Sequence, residues 1–371
     1  MMEFVRCRRC LIPTLRPDTH FVRGVCSACM NFERRPTIDW GTRKAELVKI
    51  LETAPRNGSG YDCIVPSSGG KDSTFQAITL IELGAKPLLV TASTCHLSPI
   101  GRQNIDNLAR YADTIEVTPN MNVRRKLNRI GMDLVGDPSW PEHVAIHRVP
   151  FRMACDLGIP LMFYGENPLN EYGSPPGLEE AKVMTQRWAS EFAGFLGLRP
   201  QDLIGVEGIT EQDMQYYMAP SEEAMKKVGV TAYFLGQFLE WDGQRNAEIA
   251  REAGMMWGRP SHANWYPFEN LDNSQCGLHC HFMYRKFGYG RLCAQLSIDI
   301  RHGRITREEA YDIVRARDGG YPGAYAGVSM AEILRRLGLS VEQLQGFLHK
   351  FTNHALFSHE EEGRPILREF A

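Results

Sequence analysis

What the 371-residue chain lacks narrows its class first. No apolar run approaches the ~20 residues needed to span a bilayer, so no membrane partner is expected. The formal net charge is only −2, so no global basic field points to nucleic acid. The start, Met-Met-Glu-Phe-Val-Arg-Cys, lacks the basic-then-apolar layout of a secretory signal, and a cytoplasmic location is expected. Internal repeats and low-complexity tracts are missing, which sets repeat architectures aside. A disulfide scaffold is also excluded: ten cysteines in a long chain with no secretory features read differently from the same number in a short secreted one. At 43% hydrophobic residues the chain can bury a sizeable core, in two domains or one large α/β domain with appendages.

The spacing of the first cysteines points to metal. Cys7-x-x-Cys10 and Cys26-x-x-Cys29 are two knuckles fifteen residues apart, the pattern of a four-thiolate zinc ribbon, with Gly24 just before the second knuckle. Iron–sulfur ligation and incidental thiols are the alternatives. Four protein ligands leave no open position, so the expected role is structural.

A second signal follows the apolar run at residues 61–66. Residues 67–73 read Ser-Ser-Gly-Gly-Lys-Asp-Ser and lead into a stretch, 74–83, with helical character. Adjacent glycines let successive backbone N–H groups face an anion at the positive end of a helix. The string is no Walker A loop, because its glycines adjoin and its lysine precedes an aspartate. A Gly/Ser turn capping a helix is the plain alternative. Ser-Gly-Gly-Lys-Asp-Ser resembles the PP-loop of ATP pyrophosphatases, which implies ATP as substrate and AMP and pyrophosphate as products.

Around it, apolar runs at 63–65, 87–91, 114–118, 160–164 and 231–235 alternate with helix-like segments at 74–83, 101–111 and 145–157. The expected fold is α/β: a mainly parallel PP-loop sheet flanked by helices, preceded by the zinc ribbon and an amphipathic helix at 40–51 and followed by a helical carboxy-terminal region. The expected units are 1–35, 36–256 and 257–371. Helical stretches are also expected around 179–195 and near 293–301, 307–317, 329–337 and 340–351.

Further strings converge on one family. The two knuckles, the phosphate loop, Arg102-Gln103-Asn104-Ile105-Asp106-Asn107-Leu108, Gly136-Asp137-Pro138-Ser139-Trp140-Pro141, Tyr164-Gly165-Glu166-Asn167-Pro168, Glu171-Tyr172-Gly173 and Lys286-Phe287-Gly288-Tyr289-Gly290-Arg291 together resemble the N-acetyl sugar amidotransferases. The resemblance runs to about Ala310. It implies adenylation of the acetamido oxygen of an N-acetylated sugar, followed by replacement with ammonia from a separate glutamine amidotransferase subunit. ATP, Mg²⁺ and Zn²⁺ are the cofactors implied.

Carried onto this chain, Ser67, Ser68, Gly69, Gly70, Lys71, Asp72 and Ser73 hold ATP phosphates. Thr91 and Ser93 lie where adenine or ribose sits. Asp72 is a metal ligand or a helix cap, and Lys71 a phosphate contact or a solvated side chain. Glu166 and Asn167 are catalytic candidates with Asp72; Glu166 orients the acetamido N–H, accepts a proton from ammonia, or bonds a nearby turn. Gly165, Glu171 and Tyr172 belong to the substrate site or to packing, and Asn104 faces the adenylate or caps its helix. Lys286, Tyr289 and Arg291 form a substrate patch or a packed helix-to-loop joint. Cys276, His279, Cys280 and His281 have metal-ligand types in the unfamiliar spacing Cys-x-x-His-Cys-His. A sulfurtransferase acting on tRNA or a small molecule, and a non-catalytic ATP-binding scaffold, are the competing readings. With Met-Met-Glu at the start and no glutaminase triad to place, the chain is expected to be the synthetase half.

Overall fold

The computed structural model describes residues 3–55, 58–94, 96–165, 168–178 and 180–371. At the amino terminus a two-residue hairpin, β1 (Phe21–Val22) and β2 (Val25–Cys26), runs directly into α1 (Ser27–Arg34). Helix α2 (Trp40–Thr53) begins at Asp39, whose carboxylate accepts the Thr42 amide at 3.0 Å, and buries Leu47.

Five parallel strands form the central sheet: β3 (Cys63–Pro66), β4 (Pro87–Ala92), β5 (Thr114–Val117), β6 (Leu161–Tyr164) and β7 (Thr231–Phe234), in the order β5-β4-β3-β6-β7. Alternation along the strands divides two cores. Ile64, Leu88, Val90 and Met162 pack with Val123, Leu127 and Ile130 of α5 (Met121–Val135) and with Trp140, Val144 and Val149 of α6 (Trp140–Leu157). Cys63, Val65, Leu89, Leu161 and Phe163 face Leu47 of α2, Phe75 and Leu80 of α3 (Lys71–Glu82), and Leu108 of α4 (Pro99–Leu108). Helices on both faces explain why the inner strands are near-continuous apolar runs.

Between β6 and β7 come α7 (Pro168–Tyr172), α8 (Gln186–Phe192) and α9 (Glu222–Val228), so only part of the helical stretch expected at 179–195 forms. Val183 instead pairs antiparallel with Tyr233 on the sheet edge. After β7, α10 (Gly243–Glu252) packs on α3.

The carboxy-terminal region comprises α11 (Cys276–Phe287), α12 (Arg291–Arg301), α13 (Arg307–Arg317), hairpin β8 (Ala324–Tyr325) and β9 (Val328–Ser329), α14 (Met330–Leu337), α15 (Val341–Phe351) and a closing hairpin, β10 (Phe357–Glu361) and β11 (Arg364–Leu367). The amino-terminal segment is built into it: Arg6 pairs with Glu369 at 2.6 Å and the Leu11 amide donates to Ser297 Oγ at 3.2 Å. Among the described residues, no helix is long and apolar enough to cross a membrane.

Candidate functional site

Strands β3 and β6 are neighbours, yet the chain leaves them toward opposite edges of the sheet. Their carboxyl ends therefore flank a topological switch point, where ligands bind in open α/β sheets. Residues 67–70 leave β3 there and α3 starts at Lys71. Gly69 has φ +77°, and a Cβ on it would stand 2.6 Å from the Ile105 amide nitrogen. Only glycine lets this loop lie against α4. Ser73 Oγ donates back to the Gly70 carbonyl at 3.1 Å and the Gly70 amide donates to Ser68 Oγ at 3.4 Å, holding the turn at the amino end of α3.

A cavity of about 230 Å³ opens on this turn. Ser68 to Ser73 line it together with Asn104, Tyr172, Glu269, Asp272 and Arg291. Three distant parts of the chain thus meet at the loop. Lys71 Nζ lies 2.5 Å from Asp72 Oδ2 and 3.1 Å from Glu269 Oε1, and Asp72 Oδ1 accepts from Asn246 Nδ2 at 3.3 Å. Burial would raise the Glu269 carboxyl, but Lys71, Gln295 and Arg291 outweigh it and hold the group below its usual range. Asp272 goes the other way, raised by burial. Carboxylates crowd the loop amides here, so a phosphate bound against them would be best accompanied by a hard, oxygen-seeking cation, for which Asp72, Glu269 and Asp272 are the oxygen donors at hand.

Beside it, a larger cavity of about 500 Å³ is lined by Arg34, Arg35, Arg43, Arg301, Trp40, Trp241 and Glu171. Burial pushes the Glu171 carboxyl up to about 7, with Glu269 and Asp72 adding to the rise while Lys71 and Arg301 oppose it. Glu171 therefore faces the larger cavity and feels the charges of the smaller.

The four knuckle sulfurs lie within 4.8 Å of one another and all four cysteines are buried. Cys7 and Cys29 sulfurs stand 3.9 Å apart and those of Cys10 and Cys26 3.6 Å. Four sulfurs about 2.3 Å from a tetrahedral ion would be about 3.8 Å apart, so the residues fit such an ion. Amides of Arg9 and Cys26 donate to Cys7 Sγ, which favours a thiolate. This module also grips the segment after α7. His20 Nδ1 meets the Ser174 carbonyl at 2.6 Å, the Ser174 amide donates to Ser27 Oγ at 2.9 Å, and Arg301, near the knuckle sulfurs, donates to the Glu171 carbonyl at 2.6 Å. At Gly173, φ +111°, a Cβ would fall 2.6 Å from Thr19 Oγ1.

Asn104 lines the small cavity while its side-chain amide brackets the Met256 backbone, donating to the carbonyl at 3.1 Å and accepting the N–H at 2.7 Å. Other expected residues sit elsewhere. Thr91 and Ser93, buried at the end of β4, do not line the small cavity, and neither does Gly165, packed against Gln76 and Trp241. Glu166 and Asn167 lie outside the described residues. Lys286 donates to the Val135 carbonyl at 3.0 Å, where a cation suits the end of α5, and Tyr289 is buried with Leu292 and Leu367. Of the expected patch, only Arg291 reaches the cavity, because left-handed Gly288 (φ +73°) ends α11 and redirects the chain.

Among the described residues, Cys276, His279, Cys280 and His281 do not converge on one point, although Cys276 and Cys280, one turn apart, share a face of α11. His279 turns to Asp137, His281 to the Gly319 carbonyl and to Arg285, and Cys280 to Cys276. The Cys280 thiol is drawn well below its usual range by the Cys276 hydrogen bond and by Arg291.

Glu269, Asp272 and Arg301 were not singled out from sequence. The acidic string Glu269-Asn270-Leu271-Asp272, set in a segment without helical or strand period, was the available signal for the first two.

Residues 261–369 match the family described as "LPS biosynthesis protein WbpG-like, C-terminal domain". The matched segment supplies Glu269, Asp272 and Arg291 to the small cavity. A comparison with curated proteins finds no match.

Proposed function

We propose that the chain is an ATP-dependent amidotransferase of LPS-type polysaccharide biosynthesis, converting the acetamido group of an N-acetylated sugar to an acetamidine. The observation that carries this reading is the shared cavity. A phosphate-type loop at the switch point of a parallel sheet meets Arg291 and Glu269 from a region similar to an LPS-biosynthesis family.

An amide oxygen leaves poorly. In the first half-reaction it attacks the α-phosphorus of ATP, forming a C–O–P link and releasing pyrophosphate, which the amides of 69–73 and Arg291 hold. Mg²⁺, bound by Asp72 and the neighbouring carboxylates, would spread the charge of the leaving pyrophosphate. In the second, ammonia adds to the activated carbon and AMP departs with the original oxygen. Ammonium must shed a proton before it can attack, and Glu171, poised near neutrality between the cavities, accepts it. The larger cavity sets Arg35, Arg43 and Arg301 beside Trp40 and Trp241, with Asp39, Glu46 and Glu180 also in its wall, a mixed lining that can meet both the charged and the hydroxyl groups of a nucleotide-linked sugar. A structural zinc in the four-thiol cluster and a separate glutaminase subunit complete the proposal.

Thiolation is the second reading, favoured by the Cys276–Cys280 pair beside Arg291. Mass spectrometry of a nucleotide-sugar panel incubated with ATP, Mg²⁺ and ammonium separates the two. A loss of about one mass unit with AMP formation identifies the amidine, and a gain of about sixteen in the presence of a sulfur donor identifies thiolation. A panel left unmodified while tRNA is thiolated would overturn the amidotransferase reading.

A further inference from the structure

We propose that Asp137, His143 and His279 form a second divalent-metal site, suited to zinc and separate from the four-thiol cluster. It does not depend on the amidotransferase reading.

Three elements bring one donor each. Asp137 follows Gly136, the left-handed cap that ends α5; His143 lies in the first turn of α6; His279 comes from α11. One ligand atom from each lies within 4.8 Å of the other two. His279 Nδ1 is 2.7 Å from Asp137 Oδ1 and His143 Nδ1 3.2 Å from Oδ2. Neighbouring donors about 2.1 Å from one ion are themselves about 3 to 3.4 Å apart, so the His143 contact fits a shared sphere as it stands and the His279 contact fits once that pair opens by about 0.3 Å.

A plain His–Asp–His hydrogen-bond chain accounts for less. His279 Nδ1 is aligned for a hydrogen bond to the carboxylate, but His143 Nδ1, buried and 3.2 Å from it, lies off the line of a good hydrogen bond and beside the Gly194 backbone as well. The imidazoles cross edge to face, centroids 5.1 Å apart at 82°, so the two nitrogens converge on the carboxylate from different directions. Proximity without alignment is what donors arranged around an ion produce. The carboxylate is itself held in place by the Ser139 amide at 2.8 Å, the kind of outer contact that orients metal ligands.

The surroundings set the character of the site. Two imidazoles and a carboxylate suit zinc or a neighbouring transition ion rather than magnesium. The Asp137 side chain is 2% exposed, whereas His143 and His279 are 26% and 19% exposed, so the rings give an ion a way in from solvent although the facing nitrogen of His143 is buried. Lys286 is the nearby opposing charge, tied down at the Val135 carbonyl. The ion would brace the turn between α5 and α6 against α11. Gln275, just before α11, already reaches the Pro138 carbonyl at 3.3 Å, and the same strap continues back to Asp272 in the cavity wall.

The test uses tag-free, full-length protein equilibrated with zinc and desalted. Two zinc ions per chain are expected in the wild type and one in His143→Gln and in His279→Gln, while Cys26→Ser retains the ion at this site. X-ray absorption of the wild type, which needs no variant, should show nitrogen and oxygen ligands in addition to sulfur. Sulfur-only coordination, or equal zinc content in the wild type and both folded histidine variants, overturns the proposal. Nitrogen and oxygen ligands without sulfur would sustain it while rejecting zinc in the ribbon.

Discussion

Glu171→Gln separates a group that titrates near neutrality from one that merely packs. In the folded chain burial lifts the Glu171 carboxyl from 4.5 to about 7. The folded state therefore holds this proton between those values while the unfolded state has lost it, and stability falls as pH rises through that window. At about 1.4 kcal/mol per pH unit the full effect is about 3 kcal/mol, complete above pH 7 and absent below the unfolded value. Glutamine removes the titration. Wild type and Glu171→Gln should unfold at similar urea concentrations near pH 4.5, and the variant should be more resistant at pH 8 by an amount of that order. The chemistry should move the opposite way. Amidine formation from ammonium should rise with pH and show an inflection near 7 in the wild type, and in the variant be at least about 100-fold slower and follow only the free-ammonia fraction, without that inflection. Pyrophosphate release should survive. A stability difference that does not change with pH would refute the buried, neutral carboxyl, and an unaltered rate profile would remove Glu171 from proton transfer.

Gly69→Ala should cost about 1 to 3 kcal/mol and nearly abolish AMP formation, because the new methyl group meets backbone, with its nearest atom 2.6 Å away at Ile105 N, in a left-handed turn; normal AMP production would remove the phosphate-loop assignment. Cys26→Ser should release the ribbon ion and raise hydrogen exchange at residues 171–174 as well as in the ribbon, since His20 and Ser27 bond to Ser174. Exchange confined to residues 7–29 would refute that coupling.

The strands were legible because burial on both faces of a parallel sheet demands short apolar runs such as those at 63–65 and 161–164. Helix α5 was not. Its apolar positions, Val123, Leu127 and Ile130, are interleaved with Arg124 and Asn128, which read as surface or loop residues. Both are buried here, Arg124 pairing with Glu142 at 3.0 Å and Asn128 donating to the same carboxylate at 2.9 Å. A buried polar network of this kind hides a core-facing helix from any pattern of apolar spacing.

Local signals and assembled ones diverge in the same way at the site. The glycine turn at 69–70 is a property of neighbouring residues and could be read directly. Its cavity is closed by Glu269, Asp272 and Arg291, about two hundred positions along the chain, whose approach depends on the packing of α4 and α12 rather than on any spacing. Lys286 and Arg291 show the converse: close in sequence, they diverge in space because Gly288 ends one helix before the next begins. The cysteine spacing marked the four thiols that cluster but not what the cluster's module touches. Those contacts fall on Tyr172 and Ser174 through Thr19, His20 and Ser27, which makes the ribbon a positioning element for the segment carrying Glu171. On the proposed reading, losing an ion from the four-thiol cluster should consequently weaken sugar handling before it weakens hold on nucleotide phosphates, whose proposed loop is anchored by α3 and α4 rather than by the ribbon.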